Sequence, residues 1–134
     1  MVTREDLESF LIRMDLEYEE IDTGMYLVRG HDSGLPLVVH HAEALLLIRM
    51  KVMDLPEAPS GEVTFYRTLL ELNANDVVHG AYGIEEGDLI LSDTLELETL
   101  DFHELQASME SIQLAAASHM NQIKSLAGVQ GEEG

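Results

Sequence analysis

Histidines and carboxylates are the residue types here that could carry chemistry, and their spacing argues against a metal site. His103-Glu104 begins like a zinc-protease motif, but Ala107 occupies the position of the second histidine ligand. His40 and His41 are adjacent in a predicted strand, so their side chains point to opposite faces and cannot hold one ion together. Because a metal site needs several converging ligands, we predict no metal and no other cofactor.

The acidic residues cluster in two places, Glu17–Asp22 and Asp93–Asp101. Neither cluster has the residue order of a calcium loop, and both fit solvated faces. The serines lack the context of a nucleophile elbow. Gly80, Gly83 and Gly87 lie between predicted strands, with no Lys-Ser or Lys-Thr after them to form a phosphate loop. We therefore predict no catalytic residues; a hydrolase using surface carboxylate and histidine groups is the least supported alternative.

The charge balance is the outlying property of the composition. The 134 residues include 26 acidic and 7 basic side chains, for a net charge of -19. Such a chain repels nucleic-acid phosphates and anionic lipid surfaces, so we expect neither as a partner. It favours a protein partner with a basic or mixed-charge segment.

Several features point to a reducing, cytoplasmic setting. The sequence has no cysteine, which removes thiol catalysis, disulfides and cysteine-based zinc sites. Its first residues are acidic and lack the apolar stretch of a signal peptide. The longest apolar run, Ala44–Ile48, is far too short to span a membrane.

The hydrophobic pattern predicts an α+β fold, with an antiparallel sheet and helices on one face, in the order α-β-β-β-α-β-β-α. Residues 17–21 form either a further strand or an extended lead-in. We expect a single domain over residues 1–127 and a flexible C-terminal tail over 128–134. The predicted helices cover about 3–14, 61–73 and 101–127, and the predicted strands 25–29, 37–41, 45–53, 78–84 and 89–95.

The predicted helix Gly61–Asn73 has two apolar stripes, which predicts burial on two sides. One side can cover the sheet, and the other needs another helix or a partner subunit. We therefore predict a homodimer, with Phe65 and Tyr66 as anchors; which stripe faces the partner stays open. The candidate interface residues are Val63, Phe65, Tyr66, Leu69 and Leu70.

A sheet edge can accept an extended segment of another protein through main-chain hydrogen bonds. The short predicted strand Met25–Arg29 is our candidate edge, with Met25, Leu27 and Arg29 as contact residues. Arg49 and Lys51 share one face of a longer strand. They either pair with acidic side chains across the sheet or form a cationic spot that contacts the client.

A set of packing and turn residues follows the middle helix: Leu69–Ala74, His79–Ile84 and Gly87–Leu91, then Leu97, Leu100, Asp101 and Leu105. In these residues the sequence resembles the type III secretion chaperone-like fold, found in the CesT/Tir-type secretion chaperones and the bacterial YbjN family.

The resemblance implies a non-catalytic, chaperone-like homodimer. Secretion chaperones are small acidic cytoplasmic dimers that bind an unfolded segment of a client, and they dimerise largely through the middle helix, here Gly61–Asn73. YbjN-like proteins share the fold with a poorly defined role. The alternative function is therefore a YbjN-like regulatory or scaffolding dimer, and placement between the two families stays open.

Overall fold

The computed structural model describes residues 1–30, 34–55 and 62–128. Gly61, the first residue of the predicted middle helix, and residues 129–134 of the predicted tail lie outside the described residues. The elements are α1 (Arg4–Arg13), β1 (Glu17–Asp22), β2 (Met25–Arg29), β3 (Leu37–Ala42), β4 (Leu45–Asp54), α2 (Glu62–Asn75), β5 (Ala81–Glu85), β6 (Asp88–Glu96) and α3 (Phe102–Leu126).

Helix starts follow the capping signals of the sequence. The Thr3 side chain accepts a hydrogen bond from the Asp6 N–H, and the Asp6 carboxylate accepts one from the Thr3 N–H, both at 3.0 Å. This reciprocal capping box begins α1, and the Thr3 N–H lowers the pKa of Asp6. Asp101 caps α3 in the same way by accepting from the Glu104 N–H at 2.8 Å.

The six strands form one antiparallel sheet in the order β1-β2-β3-β4-β6-β5. This confirms the predicted fold class, and residues 17–21 belong to a strand. The prediction that Met25–Arg29 is an edge strand is wrong, because β2 pairs with β1 on one side and β3 on the other. The edges of the sheet are β1 and β5.

The core lies between one face of the sheet and the helices. Alternate residues of β2, β3, β4 and β6 point into it, which is the period-two burial expected when one face is covered. The long helix α3 adds Leu105, Met109, Ile112 and Ile123, which recur at helical spacing on its buried side. No helix within the described ranges is long and apolar enough to cross a membrane.

Gly80, which precedes β5, is a position where only glycine fits. Its φ is +94°, and an added Cβ would lie 2.8 Å from the Ser92 carbonyl oxygen. Glycine next to a strand often marks a close backbone approach of this kind. Gly83 is different, since a Cβ added there would lie 3.9 Å from the Ile90 side chain, an ordinary van der Waals distance.

Candidate functional site

The sheet face opposite the helices, here called the open face, carries a band of half-buried apolar side chains. Cross-strand pairs place Met25 beside His40, Leu27 beside Val38, and His40 beside Leu47. A shallow pocket of about 140 Å³ lies among them, lined by Met25, Val38, His40, Leu47 and Arg49. Alternation along β2 and β4 puts all the predicted client-binding residues on this face: Met25, Leu27, Arg29, Arg49 and Lys51.

The two cations of the open face are ion-paired. One Arg49 Nη atom lies 2.7 Å from both carboxylate oxygens of Glu85. The Lys51 ammonium lies 2.7 Å from Asp54 and 3.6 Å from Asp88, and its hydrogen bond to Asp54 raises the pKa of Lys51. The pairs Arg49–Glu85 and Lys51–Asp88 join different strands, as the interpretation of acidic pairing across the sheet expected, whereas Lys51–Asp54 lies within β4. The Arg49 side chain is still 45% exposed, so it remains on the surface.

The β1 edge is acidic, and its carboxylates differ in position. Glu20 and Asp22 organise the following turn, accepting from the Gly24 N–H at 2.9 Å and the Thr23 N–H at 2.8 Å. Glu17 and Glu19 are opposite Arg29 and Leu27 in the register, so they lie on the open face. Among the described residues no strand pairs with the outer side of β1.

The β5 edge is different because a side chain covers it. Asn73, near the end of α2, accepts a hydrogen bond from the Tyr82 N–H at 2.7 Å. Its amide also donates to the Tyr82 carbonyl at 3.3 Å. These bonds occupy the outward N–H and C=O groups of Tyr82, the second residue of the five-residue strand. Covering main-chain groups at an edge is one way that proteins block strand addition.

Next to β5, one stripe of α2 is left uncovered. Val63 is 80% exposed, Leu70 is 68% exposed and Ile84 of β5 is 54% exposed. With the half-buried Tyr66 they form what we call the α2–β5 patch. A hollow of about 250 Å³ lies within it, lined by Tyr66, Leu69, Leu70, Asn73, Tyr82, Gly83, Ile84 and Leu89.

The other stripe of α2 faces inward. Phe65 is fully buried and Leu69 nearly so, both within the chain's own core. The prediction of Phe65 as an interface anchor is therefore wrong, because no partner can reach its ring. In the single chain, Val63, Tyr66 and Leu70 are the outward residues of α2, and Val63 and Leu70 are exposed.

A hydrogen-bonded series of three side chains, Tyr82, His119 and Asp76, joins β5 to α3. The Tyr82 hydroxyl lies 2.8 Å from His119 Nδ1, and His119 Nε2 lies 3.3 Å from the Asp76 carboxylate. Burial, with a smaller effect from the charge of Asp76, raises the pKa of Tyr82 and keeps its phenol protonated. This series therefore fixes the packing of β5 on α3. Across the described residues, no group of three or more His, Cys, Asp or Glu is placed to hold a metal ion.

The family comparison matches nearly the whole chain. A family model described as CesT_Tir_1 covers residues 2–128. The chain belongs to the CesT_Tir_1 family. This confirms the resemblance seen in the sequence, and no curated protein matches.

Solved structures of low sequence identity share the fold. A chain of the ExoU–SpcU complex from the type III secretion system of Pseudomonas aeruginosa aligns with a TM-score of 0.69 and 14% identity, over 90% of this chain and 97% of that chain. The Yersinia pestis type III secretion chaperone SycH, solved with a fragment of YscM2, aligns with a TM-score of 0.64 and 17% identity. The alignment covers 87% of this chain and 98% of that chain. YbjN from E. coli aligns with a TM-score of 0.65 and 13% identity, over 90% of this chain and 92% of that chain.

Proposed function

We propose that this protein is a non-catalytic, chaperone-like homodimer that holds an extended segment of a client protein along the β1 edge and the adjoining open face. The observation that carries the proposal is the difference between the two sheet edges. The outward N–H and C=O groups of Tyr82 in β5 are bonded to Asn73, whereas no described strand pairs with the outer side of β1. Membership of the CesT_Tir_1 family and the likeness to secretion-chaperone structures support it.

The side chains of β1 define the chemistry of the segment. A strand added to β1 has alternate side chains on the two faces of the sheet. On the open face they lie beside Glu17 and Glu19, which favour lysine or arginine. On the other face they lie beside Tyr18, which packs against Tyr26 with ring centroids 6.0 Å apart. The preferred segment therefore alternates basic and apolar residues.

The open face extends the binding surface beyond the edge. Past β1, the client meets Leu27 and Arg29 of β2 and then the pocket that Met25 and Arg49 line. Arg49 and Lys51 remain our proposed contacts there, because their side chains are about half exposed although both are ion-paired.

The α2–β5 patch supplies the dimer contact. A monomer that left Val63, Leu70 and Ile84 exposed together would present an apolar patch of the kind that marks interfaces. Around a twofold axis the same patch would cover its own copy. A YbjN-like regulatory or scaffolding dimer is the second candidate; it would use this patch without a client at β1, and the fold of YbjN supports it.

The proposal is tested with a defined probe, a fluorescent peptide of alternating lysine and valine. We expect it to bind, and a glutamate-valine peptide of the same length not to bind. Substituting Glu19→Lys places a like charge at the edge and should weaken binding about tenfold, as expected for close charge pairs at an interface. Anisotropy titrations at two salt concentrations measure this.

The controls separate edge binding from general charge attraction. Glu98→Lys makes the same charge change at an exposed residue away from β1, and it should leave the affinity nearly unchanged. A peptide N-methylated at alternate positions loses the donors needed for strand addition and should not bind. Equal losses for Glu19→Lys and Glu98→Lys, or full binding by the methylated peptide, would contradict the proposal.

A further inference from the structure

The segment before β5 and the middle of α3 enclose a groove that lies apart from the sheet edges. We call it the α3 groove. Its volume is about 630 Å³. One wall is the 76–79 segment and the other is the side of α3 that includes Ala107, Glu110, Ser111, Leu114, Ala115 and Ser118.

Each wall of the α3 groove carries one apolar and one acidic side chain. Val78 is 79% exposed on the first wall, and Leu114 is 68% exposed on the second. Asp76 and Glu110 are the carboxylates of the same two walls, and no lysine or arginine is among the described lining residues. Between the walls, the small side chains of Ala107, Ser111 and Ser118 leave room for another backbone to approach.

The groove is preformed. The Ser111 hydroxyl accepts a hydrogen bond from the His79 N–H at 2.9 Å and donates to the His79 carbonyl at 3.2 Å. At the other end, Asp76 contacts His119 of α3 at 3.3 Å. Because the 76–79 segment is bonded to α3 at both ends, it loses little conformational entropy when a partner binds. Preorganisation of this kind favours affinity.

The walls decide the conformation of the occupant. The backbone N–H and C=O groups of α3 are used within the helix, so the groove cannot pair with an extended chain as β1 can. An occupant buried here must satisfy its own backbone hydrogen bonds, as a helix does. From Ala107 to Ser118 the wall is roughly 17 Å long at about 1.5 Å per residue, the length of about three helical turns.

We propose that the α3 groove docks a basic amphipathic helix of a partner protein, with apolar side chains between Val78 and Leu114 and lysine or arginine beside Asp76 and Glu110. This rests on the proposed function in one respect: the partner is the client, which then carries a helical part besides its extended part. Charge complementarity selects this occupant. A second copy of the chain could supply few basic side chains, because only 7 of its 134 residues are lysine or arginine, and residues 129–134 contain two glutamates and no lysine or arginine.

The test uses an 18-residue peptide helix with leucine at helical spacing and lysine on the flanks, compared with a glutamate-flanked version. We expect the lysine helix to bind and the glutamate helix not to bind. The Leu114→Asp substitution should weaken binding about tenfold or more, as for a central apolar anchor. This loss is informative because the added carboxylate would otherwise attract the peptide.

Ile12→Asp is the matched control, since Ile12 is 64% exposed on α1 and the charge change is the same; it should leave binding unchanged. The lysine-valine peptide should still bind the Leu114→Asp variant. If that peptide failed to bind the unsubstituted protein while the lysine helix bound it and lost affinity in Leu114→Asp, the result would count against the β1 proposal alone. Three results would overturn the groove assignment: undiminished helix binding by Leu114→Asp, equal binding of the glutamate helix, or a change of oligomeric state in Leu114→Asp. The last would show that a second copy covers the groove.

Discussion

Leu70→Asp should convert the proposed dimer into a monomer. In the α2–β5 patch Leu70 is 68% exposed in the single chain, so the substitution leaves the fold intact and acts on association. A twofold interface repeats the change, so two leucine burials of about 1.5–3 kcal/mol each are lost. The substitution also places a charged carboxylate from each copy in an apolar contact. Together these effects should raise the dimer dissociation constant about 100-fold or more.

Sedimentation equilibrium measures this directly. The unsubstituted protein should sediment at twice the chain mass at micromolar concentration, and Leu70→Asp at the chain mass. Ile12→Asp makes a comparable change at a similarly exposed residue of α1 and should remain dimeric. A dimeric Leu70→Asp variant, or a monomeric unsubstituted protein, would refute the interface assignment.

Phe65→Ala should have the largest effect on folding stability. Phe65 is fully buried between α2 and the rest of the core and contacts Tyr66 with ring centroids 5.3 Å apart. Removing a buried phenylalanine ring loses its transfer free energy and leaves a cavity, which typically costs about 3–5 kcal/mol. Urea unfolding at fixed protein concentration measures the loss, since the stability of a dimer depends on concentration.

Val63→Ala is the control on the same helix. Val63 lies two residues before Phe65 and is 80% exposed, so in the monomer its truncation should change the free energy of unfolding by about 0.5 kcal/mol or less. The comparison is cleanest in the Leu70→Asp background, where the interface no longer contributes. A Phe65→Ala loss below about 1 kcal/mol would mean that the inward stripe of α2 is assigned wrongly.

Local patterns in the sequence predicted most of the elements. The strand at Met25–Arg29 has the predicted bounds, and the apolar spacing of α3 gives its buried stripe. Both follow from side-chain period, which is a property of neighbouring residues. The two stripes of α2 were also readable, but their directions were not. Both are apolar, and only the packing of the sheet decides which one is buried.

The edges of the sheet could not be predicted in the same way. Strand order depends on pairing between distant residues. Residues 17–22 are mostly acidic and carry a weak strand signal. We therefore expected β2 at the edge of the sheet, where the structure has β1. The Asn73 contacts to Tyr82 and the hydrogen-bonded series from Tyr82 through His119 to Asp76 join residues far apart in sequence. No local spacing marks such contacts.

Hydrogen exchange on the protein saturated with the lysine-valine peptide tests the central claim most directly. Addition of a strand to β1 places new hydrogen bonds on its outward amides, so exchange within Glu17–Asp22 should slow on binding. The Asn73-capped strand β5 and the α2–β5 patch should be unchanged. Slower exchange only at β5 or the helices, or no change at β1 with the peptide bound, would contradict the account.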